Sequence, residues 1–340
     1  MTGTLHIKHI FRAAAAVLLA LCLQGCNNDL FIDEFLKEAP KIELSHGESA
    51  SVHFENGEWK ILQVTTADTH LEFPGDIYDL EGNLLREDTR YISDMDGLFK
   101  FVHHRSNMIF SITRSAEDRL IIALEESVRD EPVYIEVLVG NEWAQKRIQA
   151  ILNPCRKYVI EKVEYDFTKF DYYDNAMELK SKATYRNTGD TPLTVILMPY
   201  QDIYRRIQLL DLKDLSRPNT AVFEAELLPI FGKDRPTFKI PDINDGKPVM
   251  KGTMVPFTID ECHLPTGLPE DKQIPVEIPA FSHMEVSCFL EMQQYDLPVK
   301  IEAVNPDTGN RINYSARLSV EQPFNHWIWT RPVEKEATHE

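Results

Sequence analysis

The 340-residue chain holds five cysteines, and no two of them stand in a CxxC spacing. That argues against a disulfide-stapled scaffold and against a cysteine-caged metal centre. It also lacks an apolar run of the ~20 residues that a membrane-crossing helix needs. Basic residues are in deficit, 36 Lys and Arg against 54 Asp and Glu, for a formal net charge of −18. An excess of that sign repels phosphate backbones and acidic head groups, so neither nucleic acid nor polybasic docking on a membrane is expected. GxSxG, HExxH, GxGxxG and a phosphate-cradling Walker loop are absent, and with them the enzyme classes that leave a local signature. No fixed-period repeat and no low-complexity tract appears. The expectation is a non-catalytic protein without a cofactor.

What is present begins at the amino end. Lys8 and Arg12 open a positive segment, Ala13 to Leu23 form an apolar run of 11 residues, and Leu23-Gln24-Gly25-Cys26 closes it. This is the pattern of a lipoprotein signal peptide over 1–25, with Cys26 as the residue that is cleaved to and acylated. Residues 26–40 then read as an acidic tether, in which Phe31, Phe35 and Leu36 offer footholds for a docked turn. Cys22 leaves with the leader, so Cys155, Cys262 and Cys288 remain. Cys262 and Cys288 lie in strand-like segments and are open to pairing, beside the alternative of three buried thiols.

From Ile42 onward short strands alternate with turn residues, which predicts an all-β fold of two antiparallel, immunoglobulin-like β-sandwiches over 41–153 and 155–330, followed by a tail at 331–340. Ser51–Phe54 and Trp59–Val64 flank Asn56-Gly57 as a hairpin, and Asp76–Leu80 and Leu84 onward flank Glu81-Gly82-Asn83 in the same way. Further strands are expected near Phe99, Met108 and Leu120, and Val133–Val139 with Trp143–Leu152 forms the clearest hairpin. Asn153-Pro154 punctuates the chain there. Sixteen of the 20 prolines lie beyond residue 190, and a proline-broken excursion spans 217–249. Ile203, Ile207 and Leu210 have helical spacing and predict a three-turn helix. Strands resume at Met254–Ile259, Glu285–Met292, Val299–Val304 and Ile312–Val320.

Aromatic residues are the most suggestive binding feature. Trp327 and Trp329, two apart, share one face of a strand, and Asn325 and His326 precede them. Two indoles on an exposed face stack against the apolar CH faces of sugars while Asn and His reach hydroxyls. The competing reading packs them inside, as is expected of Trp59 and Trp143. Asp242, Asn244 and Asp245 before Gly246, and Asp94 and Asp96 before Gly97, place oxygen ligands as calcium loops do, without the far-end glutamate of a full loop. His70, His103 and His104 form a weaker metal candidate, because adjacent strand residues point to opposite faces. Asp171-Tyr172-Tyr173-Asp174 is a further contact candidate.

Three resemblances extend this. The leader and the acidic residues Asp29, Asp33 and Glu34 resemble surface lipoproteins of Bacteroidetes-type Gram-negative bacteria, which implies an outer-membrane, outward-facing location, with a periplasm-facing one kept open. Residues 106–152 resemble the later half of a BACON-type immunoglobulin-like domain, a type that accompanies glycan-handling proteins. Residues 176–320, through Tyr185-Arg186-Asn187-Thr188-Gly189 and Ile278–Val286, resemble the strand-rich part of aerolysin-like pore formers. The expected role is a lipid-anchored protein that holds a glycan or envelope protein. A fimbria-type fibre subunit and an aerolysin-like membrane-acting protein are the alternatives.

Overall fold

The computed structural model describes residues 35–105, 107–217 and 220–333. The leader and Cys26 lie outside the described residues, as do most of the tether and the tail. The described chain is mainly β-structure and divides into two compact units at Cys155 and Arg156.

Unit 1 contains ten strands: β1 (Lys41–Leu44), β2 (Glu48–His53), β3 (Lys60–Thr66), β4 (Gly75–Tyr78), β5 (Leu84–Thr89), β6 (Phe99–His103), β7 (Met108–Ala116), β8 (Arg119–Ser127), β9 (Val133–Gly140) and β10 (Gln145–Leu152). They form one sheet in the order β1-β10-β9-β3 and another in the order β2-β8-β7-β6-β4-β5. Alternation dictates this: Met108, Phe110 and Ile112 of β7 and Leu120, Ile122 and Leu124 of β8 are buried, while the residues between them are half-buried. Both sheets turn such residues into one shared core, Ile42, Ile61, Ile135, Val137 and Ile148 from the first and Val52, Phe99, Phe101 and Phe110 from the second. Phe35 and Leu36 join it, so the end of the expected tether is anchored in the core.

The β4–β5 and β9–β10 hairpins form as expected. Two expectations for this unit are corrected. Strands β2 and β3 do not pair across Asn56-Gly57; β2 pairs with β8 and β3 with β9, so that turn carries the chain from one sheet to the other. The sandwich is also not wholly antiparallel, because β1 runs parallel to β10. Around the Asn56-Gly57 crossing, Trp59 is buried and donates its indole N–H to the Glu117 carbonyl at 2.8 Å, with the Arg114 guanidinium 4.6 Å from its ring. Arg114, itself buried, donates to the Gly57 carbonyl at 2.8 Å and so fastens the crossing. Trp143 is the opposite case: it stands 73% exposed beside the β9–β10 turn instead of in the core.

Unit 2 contains β11 (Val159–Tyr165), a 3₁₀ turn (Phe167–Lys169), β12 (Asp171–Arg186), β13 (Leu193–Leu197), β14 (Tyr204–Asp214), helix α1 (Glu224–Phe231), β15 (Thr237–Asn244), β16 (Lys247–Pro256), β17 (Cys262–Pro265), β18 (Ile274–Ile278), β19 (His283–Val304) and β20 (Arg311–Pro332). In place of a second sandwich of short strands it is built on one long sheet, β11-β19-β20-β14-β17, with β12 also paired to β19. Strands β19 and β20 are 22 residues each, about 70 Å at the usual rise per residue. The segments expected as separate strands at Glu285–Met292 and Val299–Val304 are parts of this one strand. The three-turn helix predicted from Ile203, Ile207 and Leu210, ending before Pro218, is strand β14, whose buried Arg205, Ile207 and Leu209 alternate. A bulge between Leu210 and Lys213 then shifts the alternation to Leu212 and Asp214. The helix in this region is α1, inside the proline-rich excursion that also holds β15 and the start of β16. None of Cys155, Cys262 and Cys288 forms a disulfide, so Cys262 and Cys288 do not pair.

The long sheet changes its covered face midway. Val286, Cys288, Leu290 and Met292 of β19 are buried, then Gln293 and Gln294 intervene, and Tyr295, Leu297, Val299, Ile301 and Ala303 are buried on the opposite face. In the first half the cover is the small β13–β18 sheet, with Val276 and Ile278 packed on Val286. In the second half Phe231 of α1 and Phe257, which follows β16, pack against Tyr314 of β20. The β15–β16 hairpin is tied down by polar contacts. The Tyr165 and Tyr295 hydroxyls donate to the Lys239 and Pro241 carbonyls, each at 2.5 Å, and Arg205 pairs with Asp242.

Gly75 packs so closely that a Cβ would stand 2.5 Å from the Phe101 ring and from the Val102 carbonyl oxygen. Gly75→Ala is expected to cost about 1–3 kcal/mol, seen as an earlier thermal transition by circular dichroism; an unchanged midpoint contradicts that packing. His103 is buried against Phe73 and Phe110 and its Nδ1 lies 2.7 Å from the Pro74 carbonyl. Burial holds its pKa below the ordinary 6.5. Its contribution to stability is therefore present above that ordinary value and lost as pH falls below it, because the unfolded chain takes up the proton first. Hydrogen exchange in β6 and β7, corrected for intrinsic rates, is expected to quicken between pH 7.5 and 5.5, and His103→Phe to flatten that change.

Candidate functional site

The half of the sheet where β12, β19 and β20 run side by side leaves one face uncovered. Register builds that face row by row. Leu179, Phe289 and Trp327 lie abreast, with Met177, Glu291 and Asn325 on one side and Lys182, Ser287 and Trp329 on the other. A last row adds Thr184, Glu285 and Arg331. Trp327 and Trp329 are 57% and 56% exposed, and Met177 and Leu179 are exposed by similar amounts, so the indoles are not core residues.

The polar groups between the rings are held in place. The Trp327 indole N–H donates to one oxygen of Glu291, and Asn325 Nδ2 donates to the other at 2.7 Å. Glu285 lies 2.8 Å from the Lys182 ammonium and 2.7 Å from the Arg331 guanidinium, which together hold its carboxyl below the usual range. Arg331 in turn stands 5.6 Å from the Trp329 ring centre. The result is an aromatic strip with fixed donors and acceptors along it, suited to a ligand that offers both an apolar face and hydroxyls.

Alternation separates the four residues singled out from sequence. Asn325, Trp327 and Trp329 share the open face, whereas His326 points to the covered one. There its Nδ1 lies 2.8 Å from the Tyr200 hydroxyl, the two rings meet edge to face, and burial lowers its pKa. A residue between two strand neighbours must face away from them. Leu179, Phe289, Glu291, Lys182 and Arg331 carry no such signal in the sequence, since they come from three strands distant along the chain and meet only through strand pairing.

The other candidates are structural in their surroundings. Asp242 accepts from Arg205 and, at 2.9 and 3.0 Å, from the Thr253 hydroxyl. Asn244 pairs with Lys247 across a two-residue turn in which Asp245 and Gly246 both have positive φ, 51° and 70°. That is the geometry an Asp-Gly hairpin turn adopts. Asp94 is held by Arg86 at 2.8 Å and Asp96 by Lys60 at 2.5 Å. His103 is in the core, His104 lies 3.7 Å from Asp76, and His70 lies 3.7 Å from Glu136, so the three do not converge. Among the described residues no group of three or more His, Cys, Asp or Glu forms a metal cage. Tyr172 and Tyr173 begin β12, with the Tyr172 hydroxyl 3.2 Å from Gln293 and Tyr173 exposed.

No protein-family model matches the chain, and no curated protein matches it. Among solved structures the chain is similar to a lamprey immune protein, at 12% identity and a TM-score of 0.33 over 85% of this chain and 96% of that one. It is similar to parasporin-2, a Bacillus thuringiensis toxin that recognizes cancer cells, at 10% identity and a TM-score of 0.25 over 59% of this chain and 75% of that one. A Bacteroides vulgatus protein provisionally described as a pore-forming toxin is similar at 8% identity and a TM-score of 0.13, over 62% of this chain and 76% of that one. Likenesses this distant do not decide what the chain does.

Proposed function

We propose that this is a lipid-anchored binding protein of the outer membrane, acylated at Cys26 and facing outward, that holds a glycan on the open face of β12, β19 and β20. The observation that carries the reading is the pair of exposed indoles, Trp327 and Trp329, with Glu291 and Asn325 fixed beside them. Sugar rings stack their CH faces on such rings, and their hydroxyls both donate and accept, so a positioned carboxylate and amide match them. Glu291 has both oxygens engaged, which suits an acceptor better than a catalytic base.

The aerolysin-like alternative places the same aromatic strip against a lipid surface. The Glu285 and Glu291 carboxylates between the rings disfavour that, since burying ionised groups against acyl chains is costly.

On a glycan array the full chain is expected to bind at least one glycan, and the double change Trp327→Ala with Trp329→Ala to weaken it tenfold or more. That corresponds to ~1.4 kcal/mol or more. If binding persists unchanged, or if the chain instead sediments with anionic or zwitterionic vesicles through the same two residues, the glycan reading fails. For the anchor, Cys26→Ser is expected to shift the protein from the membrane fraction to the soluble fraction, with the acyl mass on the amino-terminal peptide lost. Unaltered fractionation removes the anchor from the proposal.

A further inference from the structure

On the covered side of the same strands lies a cleft of about 360 Å3. Leu290 and Met292, the inward residues of β19, form its floor, and β12, β14 and β17 supply its walls. Pairing of β14 with β17 sets Arg206 opposite His263 and brings the Tyr204 ring to stack on the His263 imidazole, with centres 5.6 Å apart and planes within 12°. Both rings are about half exposed, so one face of the pair is available.

The rim is polar, with more carboxylates than cations around it. Arg206 reaches Glu178 at 2.7 Å and Glu321 at 3.0 Å, and Glu261 lies 2.7 Å from His263 Nε2. A guanidinium fork and the carboxylates of Glu178, Glu261 and Glu321, with Lys180 and Asp202 beside them, thus surround an aromatic plate and an apolar floor. Because Arg206 is already held by two carboxylates and carboxylates predominate around the cleft, an anionic ligand would have to break those pairs and face the remaining acids to bind. A neutral ligand that donates and accepts can instead bridge the pairs as they stand. The volume sits at the low end of the roughly 300–1,000 Å3 typical of small-ligand pockets, which limits the guest to one or two rings.

We propose that this cleft is a second ligand site, separate from the open aromatic face, and that it takes a neutral mono- or disaccharide. Its ring stacks beside Tyr204, and its neighbouring hydroxyls are shared among Arg206, Glu178 and Glu261. This site is independent of the Trp327 and Trp329 surface, since the two lie on opposite faces of the sheet.

The test is saturation-transfer NMR on the full chain with free glucose, galactose, mannose, N-acetylglucosamine and lactose at millimolar concentration. At least one is expected to receive saturation. Tyr204→Ala is expected to weaken that ligand at least tenfold and Tyr204→Phe to restore it, while Trp327→Ala with Trp329→Ala leaves it within twofold. Absence of transfer to all five sugars overturns the proposal. So does transfer that survives Tyr204→Ala, or transfer that depends on the two tryptophans. Tyr204 is half exposed, so its replacement leaves the core intact, and circular dichroism of each variant verifies the fold.

Discussion

The ladder between β19 and β20 is the constraint on which the second unit depends. It runs in register from Met284 opposite Pro332 to Val304 opposite Arg311, with one irregularity at Glu291 and Met292 where Phe324 is the extra residue. Because side chains on a strand alternate, this ladder assigns every residue of both strands to one face or the other. It places Phe289, Glu291, Asn325, Trp327 and Trp329 together and sends Leu290, Met292 and His326 to the opposite side. The open aromatic strip and the cleft are two sides of one register.

The same ladder explains how one sheet supports two different covers. At Gln293 and Gln294 the buried residues change from even to odd positions, so the face buried beneath α1 and Phe257 in one half is the face left open in the other. Two consecutive half-buried glutamines allow this, since neither face there must be wholly apolar. Each half needs only one covering layer, and the uncovered remainder of a buried-type face is what leaves aromatic residues in solvent.

Polar contacts finish what apolar burial begins. Tyr165 and Tyr295 donate to alternate carbonyls of β15, and burial pushes both phenols well above their ordinary range, so they remain protonated donors. Arg205 and Asp242 form a largely buried pair, with Thr253 completing the carboxylate. Such groups are costly when unpaired, so they favour one placement of the hairpin over its neighbours. In the first unit Arg114 does the same for the Asn56-Gly57 crossing, bonding to the Gly57 carbonyl and lying over Trp59.

Strand character and local turns were legible because they rest on neighbours in sequence. Val133–Leu152, with its turn at Asn141, and the Asp76–Thr89 hairpin are contiguous. The all-β class follows from many such segments. The Asn56-Gly57 turn was misread because turn residues permit a tight reversal without saying which sheet the next strand joins. Strand β14 reads as a helix because Ile203, Ile207 and Leu210 happen to have helical spacing, although Ile207 and Leu210 lie on opposite faces of the strand. The change of face at Gln293 and Gln294 made one strand look like two. By itself, then, the sequence determined strand propensity, acidity, the lipoprotein-like leader pattern and the shared face of Trp327 and Trp329, all consequences of composition or spacing along the chain. Only the tertiary structure decided that this face is open, that His326 lies behind it, and that Leu179, Phe289 and Glu291 complete it. Those facts depend on which distant strands pair and which layers cover them, and local periodicity carries no information about either.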